Sequence, residues 1–161
     1  MDAARKATIE RLYDAFARLD GEAMQACYAE DAQFQDEVFT LQGREQIGGM
    51  WRMLCSATRD KGRAHWKLET RDITDHGAHW DAHYRFSATG RQVLNRIDAE
   101  FEFDDAGLIS RHRDRFDFWA WSRQALGLPG LLLGWSPLLR NKVRAQAAAN
   151  LQRYLARAAA R

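Results

Sequence analysis

The sequence predicts an α+β fold in which N-terminal helices pack on a curved antiparallel sheet and an extra helical extension follows at the C-terminus. Apolar residues recur at helical spacing before residue 60, and from residue 64 they alternate with polar residues at the two-residue period of half-buried strands. Turn signals separate the alternating runs, as in a meander of consecutive strands. Helices followed by such a meander are expected to cover one side of the sheet.

Three helices are predicted in the first 60 residues. The first covers 3–19, and the second is short, at about 21–29. An extended segment over 31–36 follows and ends at an acidic residue. The third helix covers about 43–59, and its apolar side carries Ile47, Met50, Trp51, Leu54 and Cys55.

Four strands are predicted after the helices. The first begins near residue 64, the second carries Trp80 to Phe86, and the third carries Ile97 to Phe103. A hairpin turn at Asp104–Gly107 leads into the fourth, which covers Gly107–Trp119. We therefore expect consecutive strands to pair as neighbours in one sheet.

The last strand places chemically active groups on its aromatic face. Its even-numbered positions include His112, Asp114 and Phe116, whereas arginines occupy odd-numbered positions. A half-buried strand buries its aromatic side, so His112 and Asp114 are expected to face inward. An imidazole and a carboxylate are costly to bury unless they are paired or used. Two alternatives to a catalytic role stay open: a buried histidine satisfied by Asp114 or by a backbone carbonyl, and an internal ion pair of Asp114 with a neighbouring arginine.

The C-terminal region differs in composition from the rest of the chain. We divide the sequence into a domain over 1–119 and an extension over 120–161. The extension begins with a stretch rich in Trp, Leu and Gly that Pro129 and Pro137 interrupt, and a helix is predicted over about 140–160. So much apolar surface must be covered. The extension could form a lid over a cavity, pack on a second subunit, or lie in a membrane interface.

Composition argues against several classes of partner. The net charge is only +2 and no basic run is interleaved with aromatic residues, so no nucleic-acid partner is expected. His79 and His83 are four residues apart on a strand, too far to share one ion, and neither a metal nor a cofactor is expected. Without a signal sequence or an apolar run of spanning length, we expect a cytoplasmic protein, and membrane contact is not expected.

Two motifs resemble those of a known superfamily. Residues 28–36, Y-A-E-D-A-Q-F-Q-D, resemble F-A-D-D-A-T-V-E-D of ketosteroid isomerases, whose last Asp is the proton-shuttling base. Residues 112–117, H-R-D-R-F-D, resemble W-R-D-Y-F-D of limonene-epoxide hydrolases, whose first Asp is catalytic. With the order of elements, these motifs resemble the cone-shaped NTF2-like fold, which also includes SnoaL-type polyketide cyclases and non-catalytic transport factors. The resemblance covers roughly residues 5–119.

The resemblance implies a cavity inside the cone, and the inward-facing positions of the predicted elements add residues to the two that match the family motifs. Asp36 matches the isomerase base and Asp114 the epoxide-hydrolase aspartate, while the two oxyanion-hole positions of the isomerases fall at Leu12 and Ala99 and lack a donor. The expected catalytic residues are Asp36, Tyr84, His112 and Asp114, with Asp114 orienting His112. The expected substrate-binding residues are Leu12, Phe16, Trp51, Trp80, Phe86, Ala99, Phe101 and Phe116.

These residues predict a small-molecule-binding protein. We expect a cofactor-free proton-transfer enzyme of the isomerase, cyclase or hydrolase type that acts on a largely apolar substrate. Among these, the epoxide hydrolase is disfavoured because its Arg and second Asp fall at Ala82 and Tyr84. The alternative is a ligand-binding or interaction module without catalysis, which the absent oxyanion donors favour. By analogy of fold, a homodimer is also expected.

Overall fold

The α+β architecture is confirmed. A computed structural model describes residues 1–161, apart from the side chain of Lys61. Six α-helices and a six-stranded, curved, unclosed sheet form the described chain. In chain order the helices are α1 (Ala3–Ala17), α2 (Gly21–Gln25), α3 (Arg44–Lys61), α4 (Phe118–Leu126), α5 (Leu128–Leu133) and α6 (Pro137–Ala159). The strands are β1 (Tyr28–Gln35), β2 (Thr40–Gln42), β3 (Lys67–Arg71), β4 (Gly77–Arg85), β5 (Gln92–Phe103) and β6 (Ile109–Arg115).

The sheet is larger than the predicted meander. Its order is β2-β1-β6-β5-β4-β3, so the four expected strands are neighbours and two further strands extend the sheet beyond β6. Strand β1 pairs in parallel with β6 and antiparallel with β2. The extended segment predicted over 31–36 is thus part of a strand that begins earlier, at Tyr28. This pairing joins residues distant in sequence, which local periodicity does not reveal.

Several element boundaries differ from the predictions. Helix α2 ends at Gln25 rather than near residue 29, because Tyr28 already belongs to β1. Helix α6 begins earlier than predicted, at Pro137, since proline is well tolerated in the first turn of a helix. The broken apolar stretch before it forms the short helices α4 and α5 rather than irregular chain.

The predicted inward face of β6 is confirmed. His112 and Asp114 are 1% and 3% exposed, whereas the flanking arginines are exposed. A register shift between β5 and β6 at Glu102/Phe103 lets Ile109 be buried as well, although its number is odd. The core lies between the helices and this concave face of the sheet, so β6 presents its imidazole and carboxylate to the interior.

The C-terminal extension packs back on the domain. Trp121 of α4 donates a hydrogen bond to the hydroxyl of Tyr84 on β4, and Gln124 bonds the backbone of Leu94 on β5. From α6, Leu151 is buried in the main core. A Cβ added to Gly49 would lie 2.4 Å from Leu155, which shows how closely α6 approaches α3. The extension therefore closes one end of the space beneath the sheet.

Candidate active site

A cavity of about 730 Å³ lies between the concave face of the sheet, α3 and the C-terminal helices. Its wall is mainly aromatic and aliphatic, with a few polar groups. The predicted site residues that the structure places on this wall are Asp36, Tyr84, Asp114, Phe16, Trp51, Trp80, Phe86 and Phe116. A mostly apolar space of this size with few polar groups is typical of small-molecule sites.

Four predicted site residues lie outside this wall. Leu12, Ala99 and Phe101 are buried in the packed core behind it, where α1 meets the sheet. His112 lies behind Asp114 and is enclosed by rings, with that of Phe101 centred 4.3 Å away. The prediction that these four side chains line the cavity is therefore corrected. They pack against other core side chains and leave no space for a ligand beside them.

His112 is held by hydrogen bonds at both ring nitrogens. Its Nε2 is 2.7 Å from Oδ1 of Asp114, and its Nδ1 is 2.7 Å from the hydroxyl of Tyr28. The indole N–H of Trp51 donates to the same hydroxyl at 3.0 Å. These four side chains form a continuous buried chain from α3 through β1 to β6. With both nitrogens occupied, His112 has no free group with which to polarise a substrate oxygen.

Of this hydrogen-bonded set, only Asp114 and Trp51 lie on the cavity wall. An indole nitrogen can only donate, so the Tyr28 oxygen accepts from Trp51. Nε2 of His112 is bonded to Asp114, and His112 itself lies behind the wall. The imidazole therefore holds the Asp114 carboxyl group at the cavity, whereas the sequence predicted that Asp114 would orient a His112 in contact with the ligand.

Asp36 combines a strand-end role with an unusual environment. Directly after β1, its Oδ1 accepts hydrogen bonds from the backbone N–H groups of Val38 and Phe39, at 2.7 and 2.6 Å. Burial among apolar walls raises the pKa of Asp36 to about 7, against these two donors, and the charge of Asp114 adds to the increase. Near neutral pH this carboxyl exchanges its proton readily, as a general acid or base requires.

Tyr84 is prepared to donate a hydrogen bond. Its oxygen accepts from the indole N–H of Trp121 at 2.7 Å, so its own hydrogen is free to be donated into the cavity. Burial raises the pKa of Tyr84 to about 12, which keeps the phenol protonated at neutral pH. The cavity therefore presents two carboxyl groups and one phenol donor.

Sequence reasoning missed the residues that support these groups. Tyr28 was expected at the end of a helix, and Trp121 lies in a region treated as an extension. Neither has a local signal, because each acts across a long sequence separation. Tyr13 also faces the core, and its hydroxyl is buried with no hydrogen-bond partner among the described residues. Leu12 and Tyr13, which are neighbours on α1, are both buried.

The described residues contain no group of three or more His, Cys, Asp or Glu side chains that could hold a metal ion. The wall of the cavity likewise has only Asp36 and Asp114 as acidic groups among the residues that the structure describes. In that part of the chain, no helix is both long and apolar enough to cross a bilayer.

Solved structures share the fold. An LEH-like epoxide hydrolase of M. tuberculosis is 17% identical, with 81% of this chain and 96% of that one covered and a TM-score of 0.59. A protein of Catenulispora acidiphila with a ketosteroid isomerase-like fold, in complex with trimethylamine, is 17% identical over 81% and 97% of the chains (TM-score 0.58). A candidate polyketide cyclase of Silicibacter sp. TM1040 is 22% identical over 76% and 95% (TM-score 0.57). No curated protein matches the sequence significantly.

The match to a family model covers most of the domain. The model of the SnoaL-like domain matches residues 9–112, from the middle of α1 to the middle of β6, and this range includes Asp36 and Tyr84 of the cavity wall. Together with the shared fold of the solved structures, this match establishes the resemblance inferred from the two motifs. The chain belongs to the SnoaL-like family of the NTF2-like fold.

Proposed function

We propose that this protein is a cofactor-free enzyme that transfers a proton within, or to and from, a small and largely apolar molecule held in the cavity. The observation that carries the proposal is the carboxyl of Asp36, whose pKa is about 7, on the wall of an apolar cavity that it shares with Asp114. Burying two carboxyl groups is costly, and one such group titrating near neutrality is typical of acid–base sites.

Each group has a distinct role in the proposed reaction. The carboxylate of Asp36 removes a proton from carbon or from a hydroxyl of the substrate, and the resulting acid returns it at another atom. Tyr84 donates its hydroxyl hydrogen to the substrate oxygen on which negative charge develops. Asp114, fixed by His112, stabilises positive charge or accepts a proton from a bound water or hydroxyl. Isomerisation, ring closure and addition of water all use this set.

Hydrogen exchange tests the proposal without knowledge of the product. A panel of small apolar carbonyl compounds is incubated with the full-length protein in heavy water, and deuterium uptake beside the carbonyl is followed by NMR. We expect exchange with the wild-type protein and its loss in Asp36→Asn. The control is Asp31→Asn, which removes an exposed carboxylate of β1, the strand that precedes Asp36. Exchange that persists in Asp36→Asn contradicts the assignment of the base.

A ligand-binding protein without catalysis is the second candidate. It is favoured by Leu12 and Ala99, which stand where the isomerases' oxyanion donors fall and which lie in the packed core. Removing one such donor typically costs roughly 10²–10³ in rate. Compounds that bind in the cavity with the same affinity in Asp36→Asn and wild type, and that undergo no exchange or turnover, support this candidate. The homodimer stays a prediction from the fold.

A further inference from the structure

Six large apolar side chains are exposed on α5, in the turn that follows it and at the start of α6. We call them the Leu/Trp patch, and its members are Leu128, Leu131, Leu132, Leu133, Trp135 and Leu138. Trp135 and Leu138 are 70% and 74% exposed. Trp119 is exposed beside the patch, since its indole N–H donates to the carbonyl of Leu131 at 3.2 Å. Contiguous exposed apolar surface of this kind marks an interaction site.

The packing of α5 explains why these side chains point outward. Gly130 of α5 and Gly134, which caps the end of that helix, both face α4. A Cβ at Gly130 would lie 1.9 Å from the carbonyl oxygen of Ser122, and one at Gly134 would lie 2.0 Å from the Ser122 hydroxyl. The two segments therefore approach as closely as their backbones allow, and the leucines are left on the opposite side.

Charge is distributed unevenly along the chain. All 22 acidic residues lie before Phe118, whereas the segment from Phe118 to Arg161 contains none and carries seven of the 24 basic residues. Lys142 and Arg144, which follow the patch on α6, are both exposed. Arg140 pairs with Glu37 at 4.0 Å, the nearest acidic side chain that the described contacts bring to this region. The C-terminal extension is therefore strongly cationic, although the net charge of the whole protein is small.

We propose that the Leu/Trp patch docks on an anionic lipid surface. Leucine and tryptophan side chains bind at the boundary between headgroups and acyl chains, and neighbouring cations add attraction to anionic headgroups. A second copy fits poorly, because a two-fold contact through the patch would bring two acid-free, cationic extensions together. The same segment supplies Pro129 and Leu139 to the cavity wall, so docking places the cavity rim at the lipid surface. This inference departs from the sequence-based expectation of no membrane contact.

Vesicle co-sedimentation of the full-length protein tests the inference. Vesicles of phosphatidylcholine alone are compared with vesicles containing equal parts of phosphatidylcholine and phosphatidylglycerol. One variant, Leu132→Ser with Trp135→Ser, removes apolar surface, and another, Lys142→Gln with Arg144→Gln, removes two cations of the extension. The matched control, Arg18→Gln with Arg96→Gln, removes two exposed cations elsewhere, and circular dichroism checks the fold of each variant.

The proposal predicts sedimentation with the anionic vesicles and little with phosphatidylcholine alone. Both patch-region variants should bind roughly tenfold more weakly or worse, and the control should bind as wild type does. Absence of binding to anionic vesicles overturns the proposal. So does binding that both patch-region variants retain. A third outcome would assign the patch to a second copy of the chain instead. In that case the wild-type protein does not bind vesicles but self-associates as its concentration rises, and the double variant Leu132→Ser with Trp135→Ser does not self-associate.

Discussion

Nε2 of His112 lies 2.7 Å from Oδ1 of Asp114, and both side chains are almost fully buried on the inward face of β6. The other ring nitrogen is bonded to Tyr28, so the imidazole links the core to the carboxylate on the cavity wall. The histidine is therefore a positioning residue, and Asp114 is the group that a bound molecule can contact. Several measurable consequences follow from this arrangement.

Replacing His112 with Phe should destabilise the protein strongly. The aromatic ring fills the same space, but Asp114 and the Tyr28 hydroxyl are left buried without their partner, which costs about 3 kcal/mol. Denaturant unfolding measures the change. The control is Arg113→Gln, an exposed neighbour on the same strand, for which we expect no measurable effect. A loss of less than about 1 kcal/mol in His112→Phe would show that the chain of hydrogen bonds contributes little.

Replacing Asp36 with Asn should stabilise the protein at high pH only. The pKa of this carboxyl is about 7 in the folded protein against the ordinary 3.8, so between these values the folded state binds more protons than the unfolded state. Its contribution to stability is therefore lost as pH rises through 7. Because the side chain is only half-buried, we expect a gain of about 2 kcal/mol near pH 8 and little change near pH 4.

Unfolding experiments at the two pH values check this prediction. Asp31→Asn, on the exposed side of β1, serves as the control and should show no such pH dependence. If Asp36→Asn changes the free energy of unfolding equally at both pH values, burial does not raise the pKa of the Asp36 carboxyl group.

Tyr84 and Trp121 should be energetically coupled across the boundary between the domain and its extension. Tyr84→Phe and Trp121→Phe each remove one partner of the 2.7 Å hydrogen bond. A double-mutant cycle on the free energy of unfolding should give a coupling of about 1 kcal/mol. Additive effects would indicate that α4 rests on the sheet through apolar contacts alone.

Filling the cavity should abolish binding of apolar molecules. Ala82 lies on the cavity wall, and Ala82→Phe introduces a ring into the space. We expect binding of an apolar fluorescent dye to weaken by roughly tenfold or more, because the volume available to it is lost. The matched control, Ala156→Phe, places the same ring on the exposed side of α6. Equal dye binding in the two variants would mean that the dye does not occupy the cavity.

Features that depend on neighbouring residues could be predicted from the sequence, whereas contacts between residues far apart in the sequence could not. Alternation along β6 is a property of adjacent residues, so it correctly placed His112 and Asp114 inside. The second carboxyl group, Asp36, was located by the resemblance of residues 28–36 to the isomerase motif, which is likewise a property of consecutive residues. Tyr28 meets His112 only because β1 pairs in parallel with β6, and a separation of 84 residues leaves no periodic signal. Likewise, the sequence pattern predicts that Phe101 is buried but not whether it lines a cavity. That depends on how the neighbouring aromatic rings pack inside the cone.

Asp36 is expected to titrate near neutrality in the cavity that it shares with Asp114. A ¹³C NMR titration of the aspartate carboxyl carbons, with Asp36→Asn to assign the signal, measures this directly. We expect a midpoint of about 7 in the wild-type protein, and a lower midpoint in Asp114→Asn, where the neighbouring negative charge is removed. A midpoint for Asp36 near the ordinary value of 3.8 would show that Asp36 is not the proposed general base.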